Sequence, residues 1–170
     1  TPPQALHDLV KRLGEADCVI GSRWLPDSVL HQAQTTLRRL FSRCFHLIVE
    51  TLFWMHIKDT QCPCKVMKRE AVDRIHDQLT VADLAFDVNL LVSLKRAGFS
   101  VLEVPIEWTD KLGSKVTASL WRSSLVIFLS VVRLRIIYSP LHSVLKALRP
   151  LEAWLYRKLR APQPLPSPPV

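Results

Sequence analysis

The run Ala5-Leu6-His7-Asp8-Leu9-Val10-Lys11-Arg12-Leu13-Gly14-Glu15-Ala16-Asp17-Cys18-Val19-Ile20-Gly21 holds two periodicities in succession. Ala5, Leu6, Leu9, Val10 and Leu13 recur every three to four residues, which predicts a short helix. Pro2 and Pro3 suit its first turn, where the N–H that proline lacks would go unpaired in any case. Gly14 can end the helix. Residues 16–20 are then a compact, mostly apolar run, predicted as a strand closed by Gly21 and covered on both faces. A helix feeding a short buried strand is an α/β unit, and the chain is read as an α/β protein. Residues 99–108 alternate like a second strand. Val101, Glu103, Pro105 and Glu107 point one way and Leu102, Val104, Ile106 and Trp108 the other. Pro105 cannot donate to a ladder, so an edge position or irregular pairing is expected there.

Working outward, helices are expected at 31–57, 69–79, 86–97 and 116–138, with a short strand at 65–67. In the longest pattern Leu37, Phe41, Cys44 or Phe45, Ile48, Leu52 and Met55 form an apolar stripe. Arg39, Arg43, His46 and Glu50 occupy another stripe, and Arg38 and Ser42 sit one turn apart on a neighbouring face. Ala71, Val72, Ile75 and Leu79 are expected on the inner side of their helix, and Gly98 is expected to end the next one. The pattern at 116–138 mixes Trp121, Leu125, Phe128, Leu129 and Val132 with Arg122, Arg133 and Arg135. Pro140 interrupts that pattern, and Pro150 interrupts the next piece of chain. Residues 161–170, rich in proline, read as an extended, disordered tail.

The 170 residues suffice for one domain with a sizeable core. A hydrophobic share of 48% with only 4 glycines argues against a disordered chain or a loop-rich β-sandwich. The formal net charge of +8 suits anionic partners: a membrane surface, a phosphate substrate or nucleic acid. Nucleic acid ranks last, because no recognised motif and no aromatic-basic platform is visible. Cys18, Cys44, Cys62 and Cys64 lack zinc-ligand spacing and are expected to be free thiols in a reducing compartment. The histidines form no zinc-protease motif. The chain opens without a basic start and apolar stretch, so no signal peptide is read. No run approaches the ~18 apolar residues of a membrane-spanning helix. Its basic amphipathic helices instead suit a peripheral position on a membrane surface.

Several residues are candidates for chemistry. Asp59 stands at the mouth of a turn-like loop, where a carboxylate can orient a hydroxyl or phosphate, hold a cation, or simply cap backbone N–H groups. Arg23 follows a strand end, where α/β sheets usually bind ligands, and its guanidinium can fork onto a phosphate or form a surface salt bridge. Arg38 and Ser42, spaced i and i+4, can reach one anion; Arg39 and Arg43 are the alternative one register away, and a solvated basic face is the plainer reading. Asp87 is placed to meet the N-terminal dipole of its helix.

Five blocks in order carry a resemblance: Gly21-Ser22-Arg23, Asp59-Thr60-Gln61-Cys62-Pro63-Cys64-Lys65, Phe86-Asp87-Val88-Asn89-Leu90-Leu91, Glu103-Val104-Pro105-Ile106-Glu107-Trp108 and Gly113-Ser114-Lys115. Over residues 1–135 the chain resembles the C-terminal half of family 2 inverting glycosyltransferases that load a sugar onto polyprenyl or dolichyl phosphate. The resemblance implies the C-terminal part of a glycosyltransferase A-type fold. Residues 1–115 would be the acceptor-side half of the catalytic domain, 116–160 basic amphipathic membrane-associated helices, and 161–170 the tail. It implies a nucleotide-sugar donor, a polyprenyl phosphate acceptor, an anionic membrane surface on the cytoplasmic side, and no nucleic acid. Asp59 is implied as the catalytic residue, with Arg23, Arg38, Ser42, Gln61, Ser114 and Lys115 binding substrate. A divalent Mg or Mn ion is implied for the complete enzyme. Its Asp-x-Asp ligands do not occur in this sequence and are expected in an N-terminal half, without which the chain is expected to be inactive. Pro63-Cys64 replaces a Gly-Phe of the family pattern, Asn89 a common Glu, and Lys111 an Arg. A non-catalytic membrane-surface module is the alternative.

Overall fold

The computed structural model describes residues 3–31, 36–79, 81, 85–109, 120–139 and 154, with only the backbone of residues 38 and 120–124. Helix α1 (Pro3–Lys11) runs through one 3-10 turn (Arg12–Gly14) into strand β1 (Cys18–Ser22). After a two-residue strand β2 (Val29–Leu30) come helix α2 (Thr36–Phe53), strand β3 (Lys65–Met67) and helix α3 (Arg69–Ile75). Helix α4 (Phe86–Arg96), strands β4 (Val101–Pro105) and β5 (Glu107–Trp108), and helix α5 (Leu120–Ile137) complete the order. The mixed helix and sheet architecture is the α/β class expected.

Strand β1 is the middle of a three-stranded sheet ordered β3-β1-β4. It pairs antiparallel with β3 and parallel with β4, from Cys18 opposite Val101 to Ser22 opposite Pro105. All five β1 residues are buried, as a central strand covered on both faces requires. One face packs Val19, Leu102, Val104 and Ile106 against Leu9 and Leu13 of the first helix and turn. The other packs Cys18, Ile20 and Val101 into the larger core built with α2, α3, α4 and α5. A fully buried leucine contributes roughly 1.5–3 kcal/mol. Leu9 therefore anchors α1, whereas Leu6 and Val10, half exposed, add little.

Gly21 lies inside β1 rather than closing it. A Cβ there would stand 2.6 Å from the Ile106 side chain and 3.3 Å from Cys62 Sγ, so the position needs a residue without one. Pro105 ends an edge strand, and the chain breaks at Ile106 before β5 pairs with β2. This is the irregularity its missing N–H predicts. Gly98, at φ +85, ends α4 as expected, with Phe99 N–H bonded to the Leu94 carbonyl.

Helix α2 departs most from the expectation. It stops at Phe53, because Trp54 and His56 adopt φ 51 and 55, which no right-handed helix accommodates. Met55 and Ile57 are buried from that irregular segment instead. Val49, Phe45, Ile48 and Leu52 face the core, so of the alternatives Cys44 and Phe45 it is Phe45 that packs inward and Cys44 that is exposed, while Leu37 of the expected stripe is exposed. Leu40 and Leu47, seven residues apart, lie on an exposed face of α2, and Leu37 in its first turn and Trp54 just past its end are exposed as well, each more than half. Likewise Val72 of α3 is partly exposed, while Ala71 and Ile75 are buried. No helix among the described residues is long and apolar enough to cross a membrane.

Candidate functional site

Strands β1 and β4 are parallel, so both carboxyl ends, at Ser22 and Pro105, emerge on one side of the sheet. Arg23 is the first residue past β1. Its guanidinium forks onto Asp59, with Nε donating to Oδ2 at 2.7 Å and Nη2 donating to Oδ1 at 2.8 Å. The Arg23 backbone N–H adds a third bond to Oδ2 at 3.0 Å. Asp59 is only 3% exposed, so this is a closed, charge-assisted pair rather than a surface contact. Trp108 lies under the guanidinium, 5.6 Å from ring centroid to Cζ. Asp59 itself is held from behind. Glu103 of β4 accepts the N–H groups of Lys58 and Asp59, both at 2.9 Å.

The residues flanking this pair border an open cleft. Trp24 follows Arg23 and Lys58 precedes Asp59; with Arg43 and His46 of α2 they line a space of about 350 Å³. The Arg43 guanidinium stacks on the Trp24 ring at 4.0 Å. A rigid stacked Arg, a Lys and a His, with no carboxylate in the lining among the described residues, make a cleft that suits an anion. Three side-chain polar atoms are buried without a partner among the described residues: Ser22 Oγ, His46 Nδ1 and Trp108 Nε1. Ser22 adjoins Arg23, His46 lines the cleft, and Trp108 lies under Arg23. Buried groups left unpaired are costly, and one of these three belongs to a residue that lines the cleft, His46.

The loop after Asp59 is fixed at its far end as well. Lys65, with a side chain 6% exposed, donates to the Cys62 carbonyl and to Asp87 Oδ1, the latter at 2.9 Å. Asp87 thus holds a lysine besides standing in the first turn of α4. The four cysteines are free, and burial pushes the Cys18 and Cys62 thiols up to about 11 and raises that of Cys64. These three are packing groups rather than nucleophiles.

Of the residues singled out by sequence, Arg23 and Asp59 meet directly and Gln61 lies on the same loop, half buried. Ser42 is half buried on α2 beside Arg43. The Arg38 side chain, Lys111, Ser114 and Lys115 lie outside the described residues. Asn89 is away from the site, fully buried, and bonded to Ser93, Tyr138, the Gln78 carbonyl and Val81 N–H. Sequence reasoning gave no site role to Glu103, Trp24, His46 or Lys58. A carboxylate in the middle of an alternating, largely apolar strand was the available signal for Glu103; the other three are assembled only by folding. Among the described residues no three His, Cys, Asp or Glu side chains group to hold a metal ion.

The cleft lies beside the carboxyl ends of two parallel strands of an α/β fold, the side on which such sheets usually bind ligands. The chain is 35% identical over 118 residues to glycosyltransferase AglD of Haloferax volcanii, covering 68% of this chain and 19% of that protein. It is 35% identical over 136 residues to a dolichyl-phosphate beta-glucosyltransferase of Dictyostelium discoideum, covering 78% of this chain and 41% of that protein. With the human dolichyl-phosphate beta-glucosyltransferase it shares 32% over 113 residues, 66% of this chain and 35% of that protein. The chain therefore belongs to the dolichyl-phosphate glycosyltransferase family, and it spans less than half the length of these curated relatives. No family model matches it, and no solved structure matches significantly.

Proposed function

We propose that this chain supplies the acceptor side of an enzyme that transfers a sugar, with inversion, from a nucleotide-sugar to a dolichyl-type polyprenyl phosphate at an anionic membrane surface. The observation that carries the reading is the cationic cleft beside the Arg23–Asp59 pair, lined by Arg43, Lys58 and His46, in a chain of this kinship. An oxygen of the lipid phosphate attacks the anomeric carbon. The new C–O bond forms as the bond to the nucleotide diphosphate breaks, and the diphosphate leaves with the electron pair. The attacking oxygen is already anionic, so no general base is required. Positioning and charge stabilisation are then the protein's task.

Arg43, Lys58 and His46 receive the phosphate in this scheme, and the Arg23–Asp59 pair keeps the cleft's edge in place. Arg38, Ser42 and Gln61 add polar contacts around it; Ser114 and Lys115 close over the leaving diphosphate. The divalent ion of the complete enzyme would offset charge on that diphosphate, and no step of this chain's residues runs through it. The exposed apolar residues Leu40 and Leu47 of α2, with Leu37 in its first turn, Trp54 past its end and exposed Arg39 and Arg43, support contact of this segment with lipid. The same residues equally favour the second reading, a membrane-surface module without catalysis.

The test uses the longest natural protein containing this chain, with UDP-glucose or GDP-mannose as donor and a polyprenyl phosphate in anionic or neutral vesicles. Transfer is expected, faster on anionic vesicles. A charge-assisted bond to phosphate is worth roughly 1.5–3 kcal/mol. Arg43→Ala and Lys58→Ala should therefore each raise the acceptor KM about ten-fold, at ~1.4 kcal/mol per decade, and leave the donor KM unchanged. A raised donor KM with an unchanged acceptor KM assigns the cleft to the wrong ligand. Vesicle binding without transfer by any donor leaves the membrane-surface module.

A further inference from the structure

Glu103 stands inside the β1–β4 ladder, opposite Ile20. It shares a face with Val101, which packs into the main core. A half-buried carboxylate at such a place needs donors. It takes them from residues 44 and 45 positions away: Oε1 accepts the Asp59 N–H and Oε2 the Lys58 N–H, both at 2.9 Å. One oxygen for each of two consecutive amides fixes two peptide planes at once, and with them the direction in which the Asp59 side chain leaves the backbone. Asp59 then commits both of its oxygens to Arg23.

We propose that Glu103 is a positioning residue. It sets where the Asp59 carboxylate stands, through it the Arg23 guanidinium, and so the edge of the anion cleft, without touching the ligand. The reaction it serves rests on the sugar-transfer reading; the anchoring of the loop does not. A carboxylate is required because both partners are donors. Glutamine offers one oxygen and turns an NH₂ toward the second N–H, so it keeps one bond and opposes donor to donor. Alanine keeps neither.

The experiment compares Glu103→Gln and Glu103→Ala with the parent in the full protein, by amide hydrogen exchange and by transfer kinetics. In Glu103→Ala the Lys58 and Asp59 amides should exchange about ten-fold faster or more, and in Glu103→Gln by less. The Cys18 amide, bonded to the Ser100 carbonyl in the ladder, is the internal reference and should not change. The turnover kcat should fall about ten- to hundred-fold, ~1.4–2.8 kcal/mol, with partial recovery in Glu103→Gln. The acceptor KM should move little, since the long Lys58 side chain can follow the phosphate. Unchanged exchange at Lys58 and Asp59 in a folded Glu103→Ala overturns the anchoring. Faster exchange with an unchanged kcat, or an effect on acceptor KM alone, overturns the positioning role. If the parent transfers no sugar, the reaction reading falls, and exchange judges the anchoring by itself. Should Glu103→Ala fail to fold, Glu103→Gln carries both measurements.

Discussion

Two polar clusters among the described residues have opposite character. At the carboxyl ends of β1 and β4 the Arg23–Asp59 ion pair, with Glu103 accepting the Asp59 N–H, borders an open cleft, and three polar atoms buried without a partner among the described residues belong to Ser22, Trp108 and the cleft-lining His46. Between α4 and the end of α5, Asn89, Ser93 and Tyr138 form a neutral knot. Asn89 Oδ1 accepts the Val81 N–H at 3.1 Å, and its amide nitrogen reaches the Gln78 carbonyl, Ser93 and Tyr138. Ser93 and Tyr138 meet at 2.7 Å, and Arg96 covers the Tyr138 ring at 4.8 Å. A network with every group satisfied fixes one packing and has nothing left to offer a ligand. The knot is a clasp that holds α5 to the domain. The ionic end retains unsatisfied donors and acceptors beside an opening, which is what recognition requires.

The largest effect should come from breaking the ion pair. Removing one member of a buried pair leaves the other charge uncompensated, at a cost of about 3–5 kcal/mol. Asp59→Ala and Arg23→Ala should each lower stability by that order in denaturant unfolding and abolish transfer. The double variant should lose less stability than the two single losses combined, since neither charge is left alone. Additive losses would mean that the two residues do not act as a pair.

The knot should respond in stability alone. Asn89→Ala strands the Val81 N–H and the Gln78 carbonyl, and an unsatisfied buried group costs about 1–3 kcal/mol. The unfolding midpoint should fall accordingly, while activity per folded molecule stays as in the parent. A selective loss of kcat in that variant would erase the distinction between clasp and site.

A smaller effect concerns Asp17, which ties the start of β1 to Ser100. The Ser100 N–H, the Lys68 ammonium and the Ser100 hydroxyl hold its carboxyl at about 2, below the ordinary 3.8. A carboxyl depressed in the folded state stabilises above its unfolded value and loses that contribution as pH falls through the folded one. Unfolding midpoints followed from pH 5 to pH 2 should therefore drop in the parent below about 4, and less steeply in Asp17→Asn. An identical slope in both would show that the contact adds nothing, as its exposure to solvent allows.

Most of the secondary structure was legible in sequence because it follows from local periodicity and from proline and glycine. The first helix, the 65–67 strand, the helix ended by Gly98 and the interruption at Pro105 lie where those signals put them, while the first strand runs two residues later than expected and holds Gly21 inside it. Which face of α2 turns inward was not legible. Leu40 and Leu47 satisfy the helical spacing as well as Phe45, Ile48 and Val49 do, and only the position of α5 and the sheet selects the second set. The end of α2 was hidden for a similar reason, since the left-handed turns at Trp54 and His56 serve the burial of Met55 and Ile57.

The sequence by itself determined the α/β class, the kinship and the two residues at the centre of the candidate site, Arg23 and Asp59. These depend on residue types in a fixed order along the chain, which no folding step is needed to read. Only the tertiary structure decided that those two residues bind each other, that Glu103 holds their loop, and that Trp24, Arg43, His46 and Lys58 share a cleft. The hydrogen bonds among Arg23, Asp59, Lys58 and Glu103 join residues 36 to 45 positions apart through space. Their geometry is set by the parallel register of β1 on β4 and by the packing of α2, quantities that no local pattern encodes.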